Sequence, residues 1–223
     1  MKQRMLIAIC LIAGLTILIS VLIARQSKVE PVTLIESASL RELTIDEKIE
    51  EAQLIVIGEV KTTLSSKWKF QNENDPKGAS PQDVLDAGGL FSDSILSVNQ
   101  LLKGNIDEPD VRIRSFIGET ERVRWQDSSQ PLYISGNFYL LFLRQDTGPT
   151  SKVEPGYFRS VNANTAVYEI VGDKAISADD EWLLEDLIAY IEKFLSGDAT
   201  SPSEPTLLPT ESPIPTETPT ATP

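Results

Sequence analysis

The most site-like residues of the chain are four arginines in two short runs, "RIRSF" from Arg112 to Phe116 and "RVRW" from Arg122 to Trp125. Arg112 with Arg114, and Arg122 with Arg124, alternate along segments that read as strands, so each pair shares one face. With Trp125 beside them, such a face can receive an anionic ligand or a glycan through bidentate hydrogen bonds and stacking. The plain alternative is a row of solvent-facing arginines balancing an acidic surface. Exposed arginine alternating with buried apolar residues is the default in a half-buried strand.

Other chemistry is narrow. The chain has no histidine, which removes a Ser-His-Asp triad, a histidine general base and an HExxH zinc site. A Ser-Lys dyad would have to use Lys103 or Lys174, and Lys103 is accounted for by a Lys103-Gly104 turn. The carboxylate groups Asp179-Asp180-Glu181 and Glu185-Asp186 fall at and just inside a helix start, where acids complement the macrodipole. The loop "NENDPKG", Asn72 to Gly78, has oxygen ligands and a glycine, but Pro76 and Lys77 stand where a calcium loop needs other residues, and no acid closes it. No metal and no cofactor are therefore expected.

The elements that must hold these residues lie between two extensions. Residues 5 to 24, "MLIAICLIAGLTILISVLIA", are apolar apart from Thr16 and Ser20. As a helix they would span about 30 Å of hydrocarbon. Lys2 and Arg4 hold residues 1–4 in the cytoplasm, which places the rest of the chain outside, although Arg25 and Lys28 weaken the asymmetry. A cleaved signal peptide competes, but the run exceeds the usual signal core of about 7–15 residues, and "LIA" at Leu22 to Ala24 is a poor cleavage site. Cys10, the single cysteine, follows Ile9 and lies too early in the apolar run for a lipoprotein signal. It reads as a buried membrane cysteine and precludes any intrachain disulfide.

Residues 25–43 read as a linker, and residues 198–223 form the other extension, with seven prolines, seven threonines, four acids and no Lys or Arg. That composition cannot bury enough apolar surface to offset ordering entropy, so a disordered, extended tail is expected. Residues 36 to 197 hold 16 basic and 28 acidic residues, a net charge of −12. Such a surface is repelled by nucleic acid and by anionic headgroups.

Within 44–197 the order is a short helix, several antiparallel strands and a closing helix. Thr44 and Glu47 form a capping box for "IDEKIEEA". "AQLIVIGEV" from Ala52 reads as a buried strand, with Ile55 and Ile57 facing one side and Leu54 and Val56 the other. A polar loop from Phe70 to Gly89 carries a helical hint at Pro81 to Ala87. Further strands are expected at Ser92 to Leu102, at "DVRIRSFI" and at "NFYLLFLR", followed by a hairpin of "TAVYEIV" and "KAIS" across Gly172-Asp173. Ser177 or Asp179 should cap "DEWLLEDLIAYIEKFLSG", stopped at Gly197. The simplest closure is a mainly β fold, a small antiparallel barrel with a short N-terminal helix and a C-terminal amphipathic helix.

The series "AQLIVIGEV", "SDSILSVNQLLKG" and "SGNFYLLFL" resembles netrin-like modules of the tissue-inhibitor-of-metalloproteinases type over residues 44 to 172. Ala52, Gly58, Val60, Leu102, Lys103, Gly104, Gly136, Tyr139 and Leu140 match in kind and order. The resemblance implies an oligonucleotide/oligosaccharide-binding (OB) type barrel of five strands. It does not carry over inhibition, because those inhibitors use an N-terminal cysteine and disulfides that this domain lacks. Two functions stand as expectations. One is a membrane-anchored, extracytoplasmic binding domain with an unknown protein or glycan partner at the cell envelope. The other is a cell-surface hydrolase or inhibitor-like module, which would need carboxylates converging about 5–9 Å apart in a pocket.

Overall fold

The computed structural model describes residues 31–36, 40–69, 78, 80–148 and 156–197. The apolar run 5–24, nearly all of the 72–78 loop and the tail 198–223 lie outside these residues. No helix among the described residues is long and apolar enough to cross a membrane.

The chain runs through β1 (Val32–Glu36), α1 (Ile45–Glu51), β2 (Leu54–Thr63), β3 (Lys67–Trp68), α2 (Pro81–Asp86) and β4 (Leu90–Lys103). It continues through β5 (Asp110–Ser115), β6 (Gly118–Glu119), β7 (Val123–Asp127), β8 (Phe138–Gln145) and β9 (Phe158–Ser160). The last elements are β10 (Val167–Val171), β11 (Lys174–Ile176), β12 (Glu181–Leu183) and α3 (Leu184–Leu195). The fold is mainly β, and five of the strands close a barrel. β2 pairs antiparallel with β4 and β8, β4 antiparallel with β5, β5 parallel with β9, and β9 antiparallel with β8. This ring is compatible with an OB-like fold.

The alternation of β2 sets the two cores. Leu54 and Val56 point into a cluster with Leu96, Val111, Ile113 and Leu141, and Phe158 packs against it, so all five barrel strands contribute and this is the barrel interior. Ile55 and Ile57 face outward into a second cluster with Leu140, Phe142, Tyr168, Leu187 and Ile191. The outer wall over β2 and β8 is thus covered by α1, α3 and the β10–β11 hairpin. Register shifts between β2 and β4 at Ile55/Val56, Ile57/Gly58 and Val60/Thr62 bend these strands so that the sheet can close. Gly58 sits at this bend because a Cβ there would lie 2.4 Å from the Ser97 carbonyl oxygen.

Local chemistry explains the helices. Thr44 Oγ1 accepts from the Glu47 amide while the Glu47 carboxylate accepts from the Thr44 amide, a reciprocal capping box. Ser80 and Asp83 repeat it on α2, with Pro81 in the first turn, where its missing N–H costs nothing. Lys103 does more than mark the turn before Gly104. Its Nζ donates to the Ile49 carbonyl at 2.7 Å and the Glu50 carbonyl at 3.3 Å, satisfying the end of α1.

Two expectations are corrected. The closing helix begins at Leu184 rather than after Ser177 or Asp179, and Glu181–Leu183 instead pair antiparallel with β11. Ser177 still caps locally, accepting from the Asp179 and Asp180 amides, but the turn leads into a strand. Val32–Glu36, within the stretch expected as a linker, pairs in parallel with β7 from Val123 to Asp127 and makes a three-stranded sheet with β6.

Candidate functional site

The small sheet stands beside one end of the barrel and leaves a groove of about 980 Å³ between them. On the barrel side the groove is lined by Ser92 and Ser94 of β4 and Ser115 of β5. These continue the inward-facing row of Leu96 on β4 and of Val111 and Ile113 on β5, so they are the mouth of the barrel interior. Thr63, Ser65 and Ser66 continue this wall from the end of β2, and Arg124 and Trp125 line the groove from β7. Barrel mouths are a recurrent place for ligands.

The hydroxyls are held in place by one another. Thr63 Oγ1 lies 2.8 Å from Ser94 Oγ, and Ser66 Oγ lies 3.0 Å from Ser92 Oγ. Ser66 Oγ also accepts from the Glu119 amide at 2.8 Å, and Ser115 Oγ donates to the Pro131 carbonyl at 2.7 Å. Each hydroxyl has one donor and two acceptor sites, so capacity remains for a ligand. Trp125 is set by a close approach of backbone. Gly89 has φ +103, and a Cβ there would meet Cε2 of the indole at 2.7 Å. The rim is apolar, with Ile35, Leu64 and Leu132 exposed by 74%, 37% and 69%. Beneath the mouth the Tyr133 hydroxyl is buried without a hydrogen-bond partner among the described residues, and burial pushes its pKa up.

The five residues singled out in the sequence do not form one face. Arg124 and Trp125 line the groove, where Arg124 forks onto the Glu119 carboxylate at 2.8 and 3.1 Å. Arg122 is exposed at the turn before β7, and Arg112 is half-buried on β5; neither lines the groove.

Arg114 corrects the expectation of a solvent-facing row. Its side chain is fully buried. It points out of the barrel, where Nε and Nη2 reach the two Asp93 carboxylate oxygens at 2.6 and 2.8 Å. The guanidinium is stacked between Phe91 and Tyr157, 3.7 and 3.5 Å from the ring centroids. The Arg114–Asp93 match across β4 and β5 is a register pair, which simple alternation could not distinguish from two exposed charges.

The acids form no shared pocket. Glu181 binds Lys174 at 2.5 Å, Glu185 is exposed on α3, and Asp180 accepts from Ser177, Tyr168 and Trp182. Asp180 belongs to a network unseen in the sequence. The buried Lys48 Nζ donates to Tyr168 Oη at 3.0 Å, and Tyr168 Oη donates to Asp180 at 3.0 Å. Burial lowers the Lys48 pKa against the pull of Asp180 and Asp179. This network ties α1 to the hairpin on the covered wall. No group of metal-ligating side chains is present among the described residues.

The serines were the signal that sequence reading passed over: "FSDSIL" places Ser92 and Ser94 at strand spacing on the same face as Leu96. No protein-family model matches the chain, and no curated protein matches it in sequence.

Proposed function

We propose that the domain is a binding module without catalytic machinery that seats a neutral, hydroxyl-rich ligand, a glycan segment, in the mouth of the barrel. The carrying observation is the ordered row of Ser and Thr hydroxyls on the wall of a groove that Trp125 also lines. Sugars pair hydroxyl edges with apolar ring faces, and this groove offers partners for both. In OB-type barrels the second and third strands, here β4 and β5, form the usual binding face. Glu119, Glu121 and Asp127 line the same groove, and Arg124 is engaged by Glu119. A polyanion such as nucleic acid is disfavoured there.

The exposed rim of Ile35, Leu64 and Leu132 favours a second reading, an extended peptide segment of a protein partner. The remaining alternative, a cell-surface hydrolase or inhibitor-like module, would have to draw its carboxylates from Glu119, Glu121 and Asp127 of the groove, and Glu119 is engaged by Arg124. The same reading includes presentation outside the cell membrane on residues 5–24, supported by their length and apolar character. It also includes a netrin-like relationship for the barrel, supported by the three motifs and the strand order.

Full-length protein in detergent is tested on an array of neutral and acidic glycans and of peptides. Capture of neutral glycans that falls about tenfold in Trp125→Ala and in the double variant Ser66→Ala/Ser92→Ala supports the proposal. Capture unchanged in both contradicts it, and capture of peptides alone supports the second reading. Protease added outside intact cells should remove the tail beyond Gly197, whereas a protected tail contradicts the topology.

A further inference from the structure

The hydroxyl row at the mouth is interrupted on each strand by one charged residue. On β4, Asp93 stands between Ser92 and Ser94, and on β5, Arg114 directly precedes Ser115. The register pairs Ser92 with Ser115, Asp93 with Arg114 and Ser94 with Ile113, so the charged pair occupies the rung between two rungs of the mouth. Its side chains point to the opposite face from the serines. There Asp93 and Arg114 are 3% and 0% exposed, and the guanidinium forks onto the carboxylate between the Phe91 and Tyr157 rings.

Stability alone does not account for this pair. Two charges lose their water on burial, and apolar side chains of similar volume are commonly as stable or more so in such a place. The wall over β2 and β8 is closed in that way, by Ile55, Ile57, Leu140 and Phe142. What an ion pair supplies and an apolar pair lacks is direction. Two parallel N–H···O bonds fix both the separation and the orientation of the strands that carry them, and the best-attested use of a buried polar pair is to select one arrangement among several.

The mouth needs such a selection. Deeper in the barrel, Leu96, Val111 and Ile113 are held on the inner face by burial of their apolar side chains. Ser92, Ser94 and Ser115 have no such hold, because burying a hydroxyl brings no comparable gain. The apolar pattern therefore stops specifying the sheet where the groove begins. β5 also ends at Ser115, on the last rung of its ladder with β4. Asp93 adds a second tie at this point, since its carbonyl accepts from the Leu64 amide at 2.7 Å and joins β4 to the wall of residues 63–66.

We infer that the Arg114–Asp93 pair is the positioning device of the barrel mouth, holding Ser92, Ser94 and Ser115 at the spacing a ligand meets. The pair touches no ligand and acts through the strands that carry the serines. This rests on the mouth being the binding surface, and it makes affinity there separable from the stability of the fold.

The test compares three forms of the full-length protein in detergent: wild type, Arg114→Met/Asp93→Leu and Ile191→Ala. Cellohexaose, maltohexaose and chitohexaose are titrated as neutral probes, and the amide resonances of the serines are recorded with and without them. In the double variant the resonances of Ser92, Ser94 and Ser115 are expected to broaden or multiply. The midpoint should weaken about tenfold, the cost of ordering the row anew at each binding event. Ile191→Ala, which lowers stability elsewhere, should leave both unchanged. Arg114→Lys keeps the charge and gives up the fork, and it should show the same changes to a smaller extent if the double variant fails to fold. Single, sharp resonances at the three serines, a midpoint equal to that of the wild type, or equal broadening in Ile191→Ala overturn the inference. If the wild type binds none of the probes, the glycan reading fails by itself, while broadening at the three serines in the double variant alone still supports the device.

Discussion

The outer wall and the mouth of the barrel are built from the same strands and finished in opposite ways. On the outer wall, Ile55, Ile57, Leu140 and Phe142 are covered by Leu187 and Ile191 of α3, and each of these is buried. At the mouth, the inward row of β4 and β5 ends in Ser92, Ser94 and Ser115 and opens to a groove. A fold that needed only stability would continue the apolar row to the end and cover it. The outer wall is closed by packing, while the mouth ends its apolar row in hydroxyls that line a groove.

The largest losses are expected from the buried side chains outside the mouth, the Arg114–Asp93 pair on the outward side of β4 and β5 and the cluster beneath α3. Arg114→Ala would leave Asp93 buried without its partner, a loss of about 3–5 kcal/mol in urea unfolding. An Arg114→Met/Asp93→Leu double variant should recover much of it, because two apolar groups replace two charges. Ile191→Ala empties part of the cluster beneath α3 and should cost about 2–5 kcal/mol by the same measurement.

Alkali acts on both regions through their phenols. Burial raises the pKa of Tyr168 in the outer wall and of Tyr133 and Tyr139 at the barrel interior. Burial and the bond to Asp46 push Tyr190 up to about 12. A group with a raised folded pKa keeps its contribution below its unfolded value of 10 and loses it as pH climbs toward the folded value. Stability should fall from about pH 10 upward. Lys48 and Lys103, lowered by burial, work the other way up to 10.5, but two amines are set against four phenols. Tyr190→Phe should flatten the decline in a pH series of unfolding curves.

The mouth should be the least sensitive. Ser66→Ala removes hydroxyl contacts at a half-buried position and should change stability by no more than about 1.5 kcal/mol. A loss as large as that of Ile191→Ala would erase the distinction between wall and mouth.

How much of this was legible in the sequence follows the physics of each signal. Apolar alternation at Leu54 to Ile57 gave the two cores, and Thr44 with Glu47 gave the first helix, because both signals are local. The parallel pairing of Val32–Glu36 with β7 joins segments far apart in sequence and leaves no local trace. The first turn expected for α3 was claimed instead by β11, since pairing along a sheet edge outweighed helix propensity. Of the residues singled out for their chemistry, Arg124 and Trp125 line the groove. Arg114 was misjudged because its partner Asp93 lies on another strand.

Amide chemical-shift mapping of the full-length chain in detergent against a series of neutral oligosaccharides tests the central claim most directly. Shifts concentrated at Ser66, Ser92, Ser94, Ser115 and Trp125, with α3 and the β10–β11 hairpin silent, are predicted. Shifts centred on the outer wall, or no saturable shift with any neutral oligosaccharide or peptide, would contradict the barrel mouth as the binding surface.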